Sequence, residues 1–494
     1  MKRAWTASVA LGLPLLLLWP WPLRPSHLPS HPLGEGTNHA WMFWRAFQDG
    51  PVVNWPEGIA IPLMDPVNLP VAVFGLQGVV YFNLVLAFAG AWALARALKA
   101  TEAGACAAGV AAMSAPVLLG LVDMGLSEAL PIGWLGLHAA ALVRWGDTGR
   151  HRWWLASGLC LAAFALSGWY HALFGLVVEG PLAAWVLWRS RRPLGVLAQG
   201  AIALALVLPR ALTHDSSLWA ERFIHASPHP PEFRPHWREL PVFGTDLANL
   251  VLPALERVEP SKAVYLGLVA LGLALLGRRR GLLLFALPLW ILALGHHLSV
   301  AGEVLAPMPA KFIPIDGLSH WHRAAGPAAI FLAVAAGFGA ERLPRWWLAP
   351  LLLVADSLLF SQTAFPRQLT DPSPPAIYEH VDGVLLELPF DNRRVDFGEE
   401  IPRRSNLYQL SHGQPVAENH EGPDALLQRP SIRALDAACF DGALPDVLDL
   451  DGLDQVLVVE AHCYEAEAVV DALTVRLGEP TRAEGGWLFG IPDQ

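Results

Sequence analysis

The chain is predicted to be mostly α, a polytopic transmembrane helical bundle of about eleven spans followed by a small soluble α/β domain. Two observations carry that expectation. Of 494 residues, 54% are apolar and only 16% charged, with a mean hydropathy of +0.38, whereas a soluble domain carries about 25% charged residues. Apolar stretches near spanning length also recur between short arginine-bearing turns as far as residue 362, after which strand-like runs and acidic residues take over. The bundle is therefore assigned to residues 1–362 and the soluble domain to 363–494. The formal charge of −10 lies largely beyond residue 370. That distribution excludes nucleic acid as a partner, which would need a basic stripe.

Taken in order, Lys2 and Arg3 lead into an apolar run over 4–23. A cleaved signal peptide is the rival reading; the lack of a small-x-small cleavage site, with Pro14, Pro20 and Pro22, favours a retained first span. Further spans are placed near 70–95, 104–121, 129–143, 153–168, 172–188, 194–210, 263–277, 281–295, 324–340 and 346–361. Arg96 and Lys99, Arg144 to Arg152, Arg189 to Arg192, Arg278 to Arg280, and Arg342 with Arg345 all fall in short connections on one side. Basic residues in short loops stay in the cytoplasm. The chain is therefore expected in a bacterial cytoplasmic membrane, with its N-terminus in the cytoplasm and its C-terminal domain outside.

This topology places loops 24–69, 211–262 and 296–323 on the outer face, together with the tip Ser167-Gly168-Trp169-Tyr170-His171. Histidines gather there too, with His39, His171, His296, His297, His320 and His322 among them. In the C-terminal domain, strands are expected over 384–389, 455–460 and 486–491 and an amphipathic helix over 465–477. Four cysteines match no metal-ligand spacing. Cys106 and Cys160 read as small core residues, whereas Cys439 and Cys463 share an oxidising compartment in which a disulfide can form.

Several residues can carry chemistry. Glu35, between Gly34 and Gly36, can act as a general base or hold a divalent metal; the bland alternative is a solvated residue ahead of a helix start. His39 would share its face, with Trp41, Phe43 and Trp44 at the membrane interface. Asp65, before Pro66, is either a turn former or a second carboxylate facing Glu35. Glu128 precedes a span, as helix start or site. Trp169, Tyr170 and His171 can stack on a sugar or form an interfacial aromatic cluster. His320, His322 and Arg323 can bind a phosphate, with a headgroup anchor as the alternative for Arg323. Glu179, His138 and Asp356 lie within apolar spans, where ionisable groups are costly, and read as scattered rather than as a relay. No Walker loop, nucleophile elbow, zinc-protease motif or dinucleotide fingerprint occurs in a usable context.

With these residues laid out, the chain resembles the C-type (GT-C) polytopic membrane glycosyltransferases and their bacterial relatives. The resemblance rests on the loop Pro32-Leu33-Gly34-Glu35 to Trp44, on Pro56-Glu57-Gly58 and Asp65-Pro66, on Tyr81-Phe82-Asn83-Leu84 opening a long span, and on the ending around Leu385 to Pro389, Tyr408 to Pro415 and Val456 to Val459. It implies transfer of a sugar from a polyprenyl-phosphate donor to an envelope glycan, lipid or protein acceptor. It also maps the family's loop carboxylate, base or ligand of Mg or Mn, onto Glu35. Where the family often has aspartate and a nearby second carboxylate, this chain has Thr37, Asn38 and His39. A second class of function is a non-catalytic membrane protein of the same fold, a lipid or glycan carrier or an assembly partner for the envelope.

Overall fold

Small residues decide how the helices of this protein pack. A computed structural model describes residues 2–31, 36–47, 66–213, 245–251, 264–301, 303–313, 320–361, 363, 365–389, 408–409, 412–414, 416–417 and 429–492. The chain divides into two compact units. One comprises Met1–His31, Met64–His214 and Arg234–Leu369, and the other Pro32–Leu63, Asp215–Phe233 and Thr370–Gln494. Glu35 and Asp65 lie outside the described residues.

The first unit is helical. Its helices are α1 (Lys2–Leu17), α3 (Leu69–Ala72), α4 (Gly75–Ala97), α5 (Glu102–Met113), α6 (Pro116–Met124), α7 (Gly133–Thr148), α8 (His151–Leu166), α9 (Trp169–Ser190) and α10 (Pro193–Thr213). They are followed by α11 (Leu247–Val251), α12 (Leu268–Leu276), α13 (Leu283–Ala293), α14 (Ala325–Ala340) and α15 (Leu348–Phe360). α2 (Gly36–Arg45) belongs to the second unit.

Among the described residues four helices are long and apolar enough to cross a membrane: Gly75–Ala97, Glu102–Met124, Trp169–Ser190 and Trp321–Ala340. Four shorter apolar helices accompany them, at Ala4–Leu17, Pro193–Pro209, Arg280–Ala293 and Leu348–Phe360. The chain is thus a mostly helical membrane protein, with these four candidate spans and four shorter apolar helices among the described residues in place of the eleven spans expected. The 104–121 stretch bends where Pro116 opens α6, because proline cannot continue the preceding helix; Ala115 turns to extended backbone (ψ 127). The 263–277 stretch is helical only from Leu268, after Gly267 at φ +82.

Between helices in lipid no hydrophobic force remains, so close approach of backbones over small residues supplies the packing. Gly90 of α4 meets Gly133 and Gly136 of α7; a Cβ on Gly136 would stand 2.6 Å from the Gly90 carbonyl carbon. Gly337 of α14 meets Gly104 and Ala108 of α5 in the same way. Every residue of α14 is buried. A helix apolar all round belongs in the centre of a bundle, and α5, α12 and α13 all pack on it.

Between α13 and α14 the chain forms an antiparallel hairpin, β1 (His297–Val300) with β2 (Glu303–Pro307). A 3-10 turn at Pro309–Phe312 follows.

The second unit is built on a five-stranded sheet. It contains β3 (Leu385–Leu388), β4 (Val416–Ala417), β5 (Gln455–Val459), β6 (Thr481–Ala483) and β7 (Gly486–Gly490), in the order β4-β3-β5-β7-β6. β3 runs parallel to β4 and β5, whereas β7 is antiparallel to β5 and β6. Alternation along the strands makes two cores. Leu386, Leu388, Val456, Val458 and Phe489 pack under α16 (Pro430–Asp441) and α17 (Ala466–Leu477). Leu385, Leu457 and Leu488 face Ile377, Tyr378 and Tyr408. Cys439 of α16 and Cys463 after β5 form a disulfide, and Cys106 and Cys160 are free.

Candidate functional site

Three turns, far apart in sequence, meet at the ends of helices in the first unit. α6 stops at Gly125, whose left-handed conformation (φ +71) is open to glycine at no steric cost; the chain then turns through Ser127–Ala129 and presents Glu128. Gly168 precedes α9, so Trp169, Tyr170 and His171 form that helix's first turn. His320 leads into the 3-10 turn Trp321–Ala324, which opens α14 and carries His322 and Arg323.

The centre of the cluster is an ion pair. Arg323 Nη1 donates to Glu128 Oε1 at 2.7 Å, with both side chains buried. The same guanidinium lies 5.4 Å from the centre of the Tyr170 ring, close enough for a cation–π attraction. The Tyr170 hydroxyl accepts from the His320 backbone N–H at 2.8 Å and lies 3.4 Å from His320 Nδ1. The His320 and His322 rings are 5.7 Å apart. Trp321 Nε1 donates to His296 Nε2 at 2.9 Å, fixing the base of the hairpin against this turn. His171 is buried and packs on Phe164 at 4.6 Å between ring centres.

The structure therefore brings together Glu128, Tyr170, His320, His322 and Arg323, five of the residues named as substrate-binding from sequence. Trp169 and His171 flank Tyr170 on the same helical turn. The arrangement offers a guanidinium, two imidazoles and an aromatic face around one carboxylate, which is suited to an anionic head joined to a flat, hydroxylated group.

Glu35 and Asp65 lie outside the described residues, and His39 is buried on α2 in the second unit. Trp41 corrects an expectation. Instead of lying at a membrane interface it is fully buried in the second unit, where its indole N–H donates to Gln409 Oε1 at 2.7 Å. Nearby, His412 stacks on Tyr378, 6.0 Å between ring centres, and burial lowers its pKa to about 4. Among the described residues no group of three or more His, Cys, Asp or Glu comes together to hold a metal ion.

Three polar arrangements were not foreseen. His138 and Glu179 are not scattered: His138 Nε2 lies 2.7 Å from Glu179 Oε2, and its Nδ1 lies 3.0 Å from Ser157 Oγ. Ser157 Oγ donates to Gln199 Oε1 at 3.1 Å, and Gln199 Nε2 donates back to Glu179. The ring ties α7, α8, α9 and α10 together. The polar residues inside apolar spans were visible in the sequence, but their shared facing was not. Asp356 accepts from the Tyr265 hydroxyl and the Val269 N–H, each at 3.0 Å, so it caps α12. Arg367 forms a buried ion pair with Asp123 and donates from Nε to the Leu17 carbonyl at 2.6 Å, holding the end of α1.

No protein-family model matches the chain, and no curated protein matches it. Among solved structures it is similar to the cryo-EM structure of the arabinofuranosyltransferase AftD from Mycobacteria, with a TM-score of 0.52 and 16% sequence identity. The match covers 100% of this chain and 40% of that one. At this identity the likeness is one of fold alone, and this chain spans well under half the length of AftD.

Proposed function

We propose that the protein is an inverting membrane glycosyltransferase that moves a sugar from a polyprenyl-phosphate donor to an envelope glycan, lipid or protein acceptor. The reaction is placed on the outer face of the cytoplasmic membrane, with the N-terminus inside and the sheet unit outside. The observation that carries this reading is the Glu128–Arg323–Tyr170–His320 cluster at the ends of membrane helices. The fold likeness to an arabinofuranosyltransferase points to the same class of reaction; fold alone does not confer it.

In this reading Arg323, His320 and His322 hold the donor phosphate, and Tyr170 with Trp169 covers a face of the sugar. Glu128 keeps the guanidinium aimed. Glu35 takes the proton of the acceptor hydroxyl, with His39 and Asp65 as its neighbours in the mechanism. The acceptor oxygen then bonds to the anomeric carbon as the carbon–phosphate oxygen bond breaks. Polyprenyl phosphate leaves with the electron pair, and donors fixed on the phosphate stabilise the charge that develops there. No step is assigned to a metal ion.

The test uses membranes containing the full chain and radiolabelled polyprenyl-phosphate sugars. Glu35→Gln and Arg323→Lys are each expected to lower transfer at least 100-fold at unchanged protein abundance. Full transfer by Glu35→Gln would remove that residue from the mechanism. A wild-type chain that transfers none of the sugars offered, together with an envelope phenotype unchanged by Glu35→Gln/His39→Ala, would favour the carrier or assembly role instead.

A further inference from the structure

We infer that the β1–β2 hairpin and the 3-10 turn after it form an interfacial wedge, seated in the headgroup–acyl boundary of the bilayer at the end of α13. This inference is independent of the proposed reaction. Three large apolar side chains stand out within nine positions: Val304 is 50% exposed, Leu305 63% and Phe312 72%. Such exposure concentrated in one segment marks a surface that is covered by something. The segment is also held in shape. Asp246 Oδ1 accepts from the Ala301 N–H at 3.0 Å at the hairpin turn, and Asp246 bridges Ser299. At the base, the Met308 N–H donates to the His296 carbonyl at 2.9 Å. The apolar side chains are therefore displayed on a fixed frame.

What covers them follows from where the hairpin is attached. β1 begins four residues after α13 ends (297 − 293), a reach of at most about 14 Å. The Pro309–Phe312 turn packs back on α13, whose own surface exposes Leu284 and Leu287. The turn that carries Phe312 therefore lies against an apolar helix whose own side chains also face outward. Lys311 stands beside it, 3.3 Å from His297 Nε2, a cation placed for anionic lipid headgroups. A limit on depth comes from the backbone. Among the described residues β2 pairs only with β1, and the N–H and C=O groups of its other edge would be costly to place in hydrocarbon. The side chains enter the boundary while the strand stays with the hydrated headgroups.

The experiment places single spin labels on the full chain carrying Cys106→Ala and Cys160→Ala, with the Cys439–Cys463 disulfide kept. Labels at Leu305→Cys and Phe312→Cys are compared in vesicles of phosphatidylethanolamine and phosphatidylglycerol. Glu479→Cys, exposed in the sheet unit, is the aqueous reference, and Leu284→Cys is the lipid reference. The expected result is a ratio of collisions with oxygen to collisions with a water-soluble nickel chelate several-fold above that at 479, and approaching that at 284. A ratio equal to that at 479 overturns the wedge. So does a label shielded from both reagents, which would mean that a protein partner or a second copy covers the patch. If a labelled variant fails to reconstitute, a photocrosslinking residue at 312 gives the same decision: lipid adducts support the wedge, and adducts to protein alone overturn it.

Discussion

Arg323 and Glu128, separated by 195 residues of sequence, meet at 2.7 Å with both side chains withdrawn from solvent. Breaking such a pair by removing one partner strands a buried charge, which costs about 3–5 kcal/mol. Removing both partners leaves no charge behind. Arg323→Ala and Glu128→Ala are therefore each expected to lower the thermal stability of the purified protein strongly, and the double variant less than the sum. A double-mutant cycle from melting in detergent measures the coupling. Additive losses would mean that the two groups do not depend on each other.

The ring across α7 to α10 makes a second prediction. Glu179→Ala leaves His138 Nε2 and Gln199 Nε2 without their shared acceptor inside the bundle, and a loss of several kcal/mol is expected. Glu179→Gln keeps an acceptor oxygen and is expected to lose about half as much. Melting temperature, with hydrogen exchange of α9 as a local reading, separates the two; equal losses would show that charge rather than hydrogen bonding holds the ring.

Helix approach over glycine is testable by size. Gly136→Val puts a branched side chain where even a Cβ would stand 2.6 Å from the Gly90 backbone. Overpacking of this kind costs about 1–3 kcal/mol or more. At Gly200 of α10 nothing lies within 4 Å of a Cβ, so Gly200→Ala is expected to be neutral or to stabilise by about 0.5–1 kcal/mol. Unfolding of the two variants side by side decides the matter.

His412 sets a pH dependence for the sheet unit. Burial lowers its pKa to about 4 from 6.5, so the folded unit stays unprotonated where the unfolded chain already takes up a proton. Its contribution to stability is complete above pH 6.5, falls as the pH drops from 6.5 towards 4, and levels off below. The full change is about 3 kcal/mol at most. Hydrogen exchange of β3 and β5 amides across this range is expected to show the loss, and His412→Phe, which can keep a stack on Tyr378, is expected to flatten it.

Local signals were the legible ones. Expected strands over 384–389, 455–460 and 486–491 and the helix over 465–477 correspond to Leu385–Leu388, Gln455–Val459, Gly486–Gly490 and Ala466–Leu477, because alternation and helical period are written in neighbouring residues. The two-residue β4 is too short to leave such a mark. In the candidate site, residue types and their positions just before helices could be read, whereas the Glu128–Arg323 pairing could not, since it depends on how α6 and α14 lie together. The tryptophan run around Trp41 suggested a membrane belt; its actual neighbour, Gln409, lies 368 residues away. His138 and Glu179 looked isolated for the same reason. Their meeting requires the rotational phase of two helices, which Gly90, Gly133 and Gly136 help to set through backbone contact rather than through any polar signal.

That ring of polar groups also bears on how the chain is made. Synthesis runs from the N-terminus, so His138 of α7 and Ser157 of α8 emerge before Glu179 of α9 and Gln199 of α10 can join them. During that interval the imidazole and the hydroxyl have only each other from the ring as partners. Chains that stop before α10 would lack Gln199, the residue that accepts from the Ser157 hydroxyl and donates to Glu179, so the ring closes only when the fourth helix is in place.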